Sequence, residues 1–305
     1  MTQLIYYLQN RHWQFLYHFM IYMIGGLHLI PDSTDGSKIH LYLPYLSDNL
    51  SEIDFRILLS LWNEVSSNSE NSDVTFEVFA GIYNNNTNKS TTLHFEILNE
   101  IVKSGKYVVH TTLNNEDLLN SKIVVNFGAI GEFYNPDKDC YVFLRNLFIS
   151  ENNESILEKG KRIYISRKNA KNFSLNNGQK TRYVLNEEEL QETLDINNIK
   201  QICLEDYSFI EKINIFRTSE LIISPHGSAL VFSLFSDKNS TIIELIPDSG
   251  GHVGINNITL AGHYKKICSC LNINFIRFTK MKEYDQNKNM VIDIEEFKKC
   301  LQNVI

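Results

Sequence analysis

The sequence predicts an α/β protein of two doubly wound domains, each a mostly parallel sheet covered by helices. Three observations predict it. Short apolar runs rich in β-branched and aromatic residues alternate with segments of helical period along the chain. Some of these runs, such as Leu221-Ile-Ile223, are apolar without a break, as strands buried on both faces must be. The length of 305 residues exceeds one typical domain, and 43% hydrophobic content is enough for a core in each of two.

In the first half the expected strands are Ile39–Pro44, Val74–Ala80, Tyr107–His110 and Lys122–Phe127. Between the first two, Ile53, Ile57, Leu58, Leu61 and Trp62 fall on one helical face, and Ser51-x-x-Asp54 has the form of a capping box. Asn84–Asn88 reads as a polar loop tip. Upstream, Trp13–Ile30 contains no Asp, Glu, Lys or Arg, yet it carries Gln14, His18, His28 and Gly25-Gly26. It is barely long enough to span a bilayer and lacks the charged start and cleavage site of a signal peptide. The expectation is a buried helix, no membrane partner and a cytoplasmic location.

The second half is more regular. Expected strands are Arg162–Ser166, Arg182–Leu185, Gln201–Leu204, Glu220–Ser224, Thr241–Ile246 and Asn274–Phe278. Asn186 ahead of Glu187, Glu188 and Glu189 reads as a helix cap followed by acids in the first turn. Ser208-x-x-Glu211 opens a further helix with Phe209, Ile213 and Phe216 on its buried face, and the last helix, Ile294–Val304, keeps Ile294, Phe297, Leu301 and Val304 on one side. Strand–helix alternation at this spacing means parallel sheets. The polar, unpatterned stretch Ser150-Glu-Asn-Asn-Glu154 places the boundary, giving domains 1–152 and 153–305 that face each other across a cleft. The last helix is a candidate to pack back on the first domain.

Composition excludes some classes. A net charge of -7 argues against a general nucleic-acid binder. The five cysteines are odd in number and irregularly spaced without a CxxC pair, which suits free thiols better than a zinc site. Sequons such as Asn88-Lys-Ser90 are expected by chance in a chain this rich in asparagine. Asp137-Lys-Asp139 is an isolated Asp-x-Asp in a polar loop, and Asp285–Glu296 imitates a calcium loop but has Met290 where such a loop needs glycine. Neither is read as a metal site. A dinucleotide-dependent epimerase would need Gly-x-Gly-x-x-Gly near the first strand, and none is there.

Ligands of open parallel sheets bind beyond the carboxyl ends of the strands, so residues just after a strand are tested first. Ser224-Pro-His226-Gly227-Ser228-Ala-Leu230 follows one strand and opens a helical segment. Gly227 permits close backbone approach, His226 can donate to a phosphate oxygen, and Ser228 is placed to cap the helix. Lys161-Arg162-Ile-Tyr-Ile-Ser166-Arg167 sets three cations around another strand, with Ser166 and Arg167 at its carboxyl end, where a pyrophosphate would lie. Glu244, inside Thr241–Ile246, is a carboxylate in an apolar strand and needs a partner: a ribose diol or an arginine.

These residues resemble glycosyltransferase family 61, which includes plant xylan xylosyl- and arabinosyltransferases and animal O-linked GlcNAc transferases. The resemblance runs through Arg162-x-Tyr-x-Ser-Arg167, Arg182-Tyr-Val-Leu-Asn186-Glu187, Leu204-Glu205 and Ser208-Phe-x-Glu211-x-Ile. It continues through Ile222-Ile-x-x-His226-Gly227-Ser228-Ala-Leu230 and closes on Ile243-Glu244-Leu-x-Pro247. Such a member would have a GT-B fold of two Rossmann-like domains, the N-terminal one for the acceptor and the C-terminal one for the donor. It would transfer sugar from a UDP-sugar to a glycan or protein hydroxyl with inversion, using no cofactor and no required metal. By position the resemblance implies donor binding by Arg162, Ser166, Arg167, His226, Gly227, Ser228 and Glu244. Inverting transfer also needs a base for the acceptor hydroxyl. His18 is the choice by position, with His110 and Glu132 as rivals. The alternative is a binding protein of the same fold that keeps the donor or glycan site without catalysis.

Overall fold

A computed structural model of the chain describes residues 2–7, 17, 19–29, 39–42, 74–79, 89–110, 122–126, 136–149, 160–169, 182–247 and 262–305. The expected helix through Ile53–Trp62, its cap at Ser51, the loop Asn84–Asn88, His18, Glu132 and the stretch Ser150–Glu154 lie outside the described residues. The chain divides into two compact units, Met1–Ile149 and Ser150–Ile305.

The first unit holds a five-stranded sheet of β1 (Thr2–Tyr7), β2 (Ile39–Tyr42), β3 (Val74–Phe79), β4 (Tyr107–His110) and β5 (Lys122–Asn126). Every pairing among them is parallel. β1 was not legible beforehand; the other four start where the sequence places them. Helices α1 (Lys89–Lys103) and α2 (Lys138–Phe148) belong to this unit. The uncharged segment expected as one buried helix is, in its described part, wound as a π-turn over Phe19–Ile24 and a 3-10 turn over Gly25–Leu29. Tyr17, Met20, Ile21, Ile24 and Leu27 are all buried. At Gly25, where the winding changes, a Cβ would sit 2.6 Å from Cys140 Sγ of α2. Only a glycine lets the two elements pack this closely. Among the described residues, no helix is long and apolar enough to cross a membrane.

The second unit is the better-defined α/β layer. Its five strands are β6 (Lys161–Ser166), β7 (Lys200–Cys203), β8 (Ser219–Pro225), β9 (Thr241–Leu245) and β10 (Asn274–Phe278), in the order β10-β9-β8-β6-β7. All four ladders are parallel. Counted within the sheet, the order is 2-1-3-4-5, which reverses direction between β6 and β8. Parallel neighbours need crossover connections, and these are supplied by α3 (Glu187–Ile196), α4 (Phe209–Thr218), a 3-10 segment (Ser228–Phe235) and α5 (Gly262–Cys270).

Both faces of the sheet are covered, as the uninterrupted apolar strands require. On one face Leu221, Ile223, Ile243 and Leu245 pack with Leu190 and Leu194 of α3 and with Phe297 and Leu301 of α6 (Ile294–Gln302). Successive strand residues alternate faces, so Ile222, Ile242 and Glu244 point to the other side. There α4, the 3-10 segment and α5 pack together. Phe209 and Phe216 of α4 lie 5.9 and 5.8 Å from the ring of Phe232, and all three are buried. The expected capping box of α4 is present: Glu211 N–H donates to Ser208 Oγ, and Ser208 N–H donates to Glu211 Oε2 at 2.8 Å.

Two expectations are corrected here. Arg182–Leu185 is not a strand of the sheet; only Val184 forms a bridge, to Met290 of the hairpin β11 (Met281–Tyr284) and β12 (Met290–Ile292). Arg182 has a φ of 61°, a left-handed conformation that breaks an extended run. Asn186 occupies the N-cap position of α3 without capping it. Its side-chain amide instead donates to Ile292 O at 3.0 Å and accepts from Ile292 N at 2.9 Å. One amide thereby satisfies both backbone groups of a residue on a short strand, which outweighs a single cap bond.

Because Phe297 is fully buried and stacks edge-on to Phe278 at 5.3 Å, the last helix is part of the second unit's core. Phe297→Ala is expected to lower the unfolding free energy by about 3–5 kcal/mol. Urea denaturation followed by circular dichroism checks this, and a change under about 1 kcal/mol would mean that α6 is peripheral.

Candidate functional site

The reversal of strand order puts a crevice at the carboxyl ends of β6 and β8, the position where open α/β sheets bind ligands. β6 delivers Ser166 and then Arg167; β8 delivers Pro225 and then His226-Gly227. The two strands are hydrogen-bonded neighbours, so these residues meet. A Cβ on Gly227 would overlap Arg167 Nη1 and lie 3.5 Å from its Cζ. Arg167 therefore approaches Gly227 through Nη1, and the absence of a side chain there is what admits it. The φ of Gly227 is 169°, ordinary extended backbone, so space and not conformation selects glycine.

His226 is held from two directions. Its backbone N–H donates to Leu245 O at 2.9 Å, and its ring Nδ1 is 2.6 Å from Glu244 Oε1. Glu244 is the register partner of Ser224 on the neighbouring strand, which places its carboxylate beneath the residue that follows β8. A carboxylate has only acceptors to offer, so Nδ1 carries the proton and Nε2 keeps the lone pair of the neutral ring. Burial, then the charges of Arg182 and Arg167, press the His226 pKa below the ordinary histidine value, while the bond to Glu244 acts in the other direction. The ring of Tyr264, from α5, lies 5.4 Å from that of His226 at 58°.

Arg167 and Arg182 form the cationic part. Burial and then the Arg182 charge lower the Arg167 pKa to about 10, so both groups remain charged at neutral pH. Arg182 is lowered as well, chiefly by burial. Among the described residues, neither guanidinium makes an ion pair with a carboxylate. Arg167 Nε is a buried donor with no hydrogen-bond partner, and Glu244 Oε2 is a buried acceptor in the same condition. A buried, unbonded donor on a charged group is costly. The site is thus short of acceptors on its cationic side, which an anion would supply.

The sequence-predicted residues separate accordingly. Arg167, His226, Gly227 and Glu244 are brought together, and Glu244 finds a histidine where the sequence suggested a diol or an arginine. Ser166 sits at the same edge, but its hydroxyl is engaged: it donates to Glu187 Oε1 and Oε2 at 2.8 and 2.9 Å and accepts from Lys168 N. Ser228 is half-buried at the start of the 3-10 segment and caps nothing with its side chain. Arg162 stands at the opposite, amino end of β6, where Nε donates to Glu220 Oε1 at 2.6 Å and Nη1 to Asn197 O at 3.3 Å. The structure does not bring it to the cradle. His18 and Glu132 are outside the described residues, and His110 is described only as the last residue of β4.

Three members of the site were missed. Arg182 belongs to the motif text but reads there as a strand residue. Glu187, one of three consecutive acids, accepts from Tyr164 Oη at 2.7 Å as well as from Ser166. Tyr264 carries no sequence signal, being far along the chain on α5. Both metal-like motifs are explained as turns: Asp137 caps α2 by accepting from Cys140 N at 3.1 Å, and Asp285 Oδ1 accepts from Asn287 N and Asn289 N at 2.8 and 2.9 Å. The five cysteines are free thiols.

The second unit is a doubly wound α/β sheet, and at its strand-order reversal Arg167, His226, Gly227 and Glu244 come together. The family model Glycosyltransferase 61 matches residues 16–243, and the chain belongs to that glycosyltransferase family. The match begins well ahead of the Arg162–Pro247 stretch that carries the resemblance in the sequence, and it ends one residue before Glu244. No match is found among curated proteins.

Two outcomes follow from this geometry. Gly227→Ala forces only the far end of the Arg167 side chain to move, so it should shift the thermal midpoint little while removing stabilisation by added diphosphate ligands. A large loss of stability in ligand-free protein would contradict that placement. Because the folded-state pKa of His226 lies below 6.5, the unfolded chain binds the proton first as pH falls. The stability contributed is present above that value and is lost as pH falls through the folded value. His226→Gln should therefore flatten the decline in stability between about pH 7 and 5. A residual slope is expected from His263, which burial also lowers.

Proposed function

We propose that this protein is an inverting glycosyltransferase that uses a UDP-sugar and delivers the sugar to a hydroxyl on a glycan or protein. The observation that carries this reading is a pair of half-buried arginines near the switch point of the sheet that have no carboxylate ion pair among the described residues, one of them with a buried, unbonded Nε. Family membership supplies the reaction class.

In this reading the diphosphate lies across Arg167 and Arg182, with His226 alongside. The two guanidinium groups meet the negative charge that develops on the departing UDP as the anomeric bond lengthens, so the transfer needs no metal for that task. Glu244 acts through His226. Its Oε1 fixes the ring proton on Nδ1 and so presents Nε2 to the crevice side; this is a positioning role and replaces the ribose contact that the sequence suggested. Gly227 sets the closeness of approach. The acceptor hydroxyl attacks the face of the anomeric carbon opposite the diphosphate, and a base takes its proton. His18, in the first unit, remains our proposed base, with the two units arranged as in a GT-B enzyme. Use of a soluble donor suits a cytoplasmic location.

The test is a thermal-shift screen of nucleotides and nucleotide sugars, followed by an assay of UDP release. UDP should raise the melting midpoint by a few degrees, as expected for ligand well above its Kd. Arg167→Ala and His226→Ala should each abolish that shift and keep the fold. Release of UDP on adding acceptor glycans would establish transfer, whereas binding without turnover across a broad panel would mark a binding protein. Unchanged UDP affinity in both variants would overturn the assignment of the cradle.

A further inference from the structure

The reading above needs Arg182 beside Arg167, yet Arg182 is in no strand or helix. Its position comes from elsewhere. With φ at 61°, its backbone occupies the left-handed region that a residue with a side chain adopts only when its surroundings impose it. Arg182 N–H donates to Asn287 O at 3.1 Å, and Tyr183 N–H donates to Asn289 Oδ1 at 3.0 Å. Further on, Met290 N–H donates to Tyr183 O at 2.7 Å and Leu185 N–H donates to Met290 O at 2.8 Å. The segment is thus zipped along the hairpin that follows β10, well outside the region matched by the family.

Asn289 is the pivot of this zipper. It is buried, and it uses both ends of its amide: Oδ1 accepts from Tyr183, and Nδ2 donates to Asp285 Oδ2 at 2.9 Å. Asp285 in turn closes the β11–β12 turn by accepting from two backbone amides. An amide that must accept on one side and donate on the other is not replaced by a carboxylate.

We propose that Asn289 is a positioning residue for Arg182, and that the C-terminal hairpin sets the second guanidinium of the anion cradle. The proposal rests on the diphosphate reading and adds a part of the chain to it. The role is local and separable from folding. Val184, Met290 and Ile292 lie in the hydrophobic core, and the Asn186–Ile292 bracket secures the far end of the segment without Asn289. Loss of Asn289 frees chiefly the end that carries Arg182.

The experiment measures UDP binding to the full chain by calorimetry, alongside melting midpoints. Asn289→Asp puts two carboxylates face to face and should weaken UDP by on the order of tenfold while the midpoint falls little. Asp285→Asn breaks the same link from the other side and gives the second reading should the first variant fail to fold. The reciprocal exchange, Asp285→Asn with Asn289→Asp, keeps the acceptor for Tyr183 and rebuilds the amide–carboxylate pair, so UDP affinity should return to within about twofold of the original. Combining Asn289→Asp with Arg182→Ala should cost no more affinity than Arg182→Ala alone, because both act through one guanidinium. Wild-type affinity in Asn289→Asp, or losses that multiply in the combined variant, would overturn the proposal even if Arg182→Ala itself loses UDP. If neither Arg167→Ala nor Arg182→Ala changes UDP binding, the diphosphate reading beneath it falls instead.

Discussion

The proposed function of the second unit depends on two half-buried guanidinium groups, Arg167 and Arg182, that form no ion pair with a carboxylate among the described residues, although the charge of Glu205 acts on Arg167. The Arg167 pKa is lowered to about 10, first by burial, which disfavours the charged form, and then by the like charge of Arg182. A protein built only for stability would pair these groups or replace them with apolar ones. Their place at the switch point of a parallel sheet is the ground on which we propose that the edge receives an anion. The orphaned Nε of Arg167 states the same fact at the level of one atom.

Each surrounding feature then has a reason. β6 and β8 must be neighbours for Arg167 and Gly227 to meet, and the 2-1-3-4-5 order makes them so. Gly227 has to lack a Cβ, since the guanidinium occupies that volume. Glu244 can be wholly buried because His226 gives it a hydrogen bond, and the same bond fixes which ring nitrogen stays free. The aromatic packing of Phe209, Phe216 and Phe232 anchors the 3-10 segment that begins immediately after Gly227, so the loop bearing His226 rests on a rigid base. The hairpin near the C-terminus completes the set by holding Arg182 in a backbone conformation that it would not adopt alone.

Much of the sheet was legible because its strands obey local rules. Runs such as Leu221-Ile-Ile223 and Thr241–Ile246 are long, apolar and bounded by polar turns, and the capping box at Ser208 and Glu211 is written in adjacent residues. The sites that resisted reading are those decided by tertiary partners. Arg182–Leu185 has strand composition but spends its hydrogen bonds on a distant hairpin, and Asn186 has the identity of a cap but serves Ile292. The segment Phe19–Leu29 is apolar enough to be read as buried, but its π and 3-10 winding is not written in its composition, and Gly25 packs against Cys140 and Leu144, more than a hundred positions away. In the candidate site, Arg167 and His226 lie just past strand ends, where the sequence places them. Arg162 was misplaced because a cation at the start of a strand and one at its end look alike in a short basic motif. Tyr264 had nothing to mark it until α5 was seen to pack on the same face as Glu244.

The most direct measurement is a crystal structure of the full chain with UDP bound. The account predicts diphosphate oxygens within hydrogen-bond distance of Arg167 Nε and of the Arg182 guanidinium, with the His226 ring still bonded through Nδ1 to Glu244. A diphosphate held elsewhere on the chain, with Arg167 unchanged and still unbonded at Nε, would contradict it.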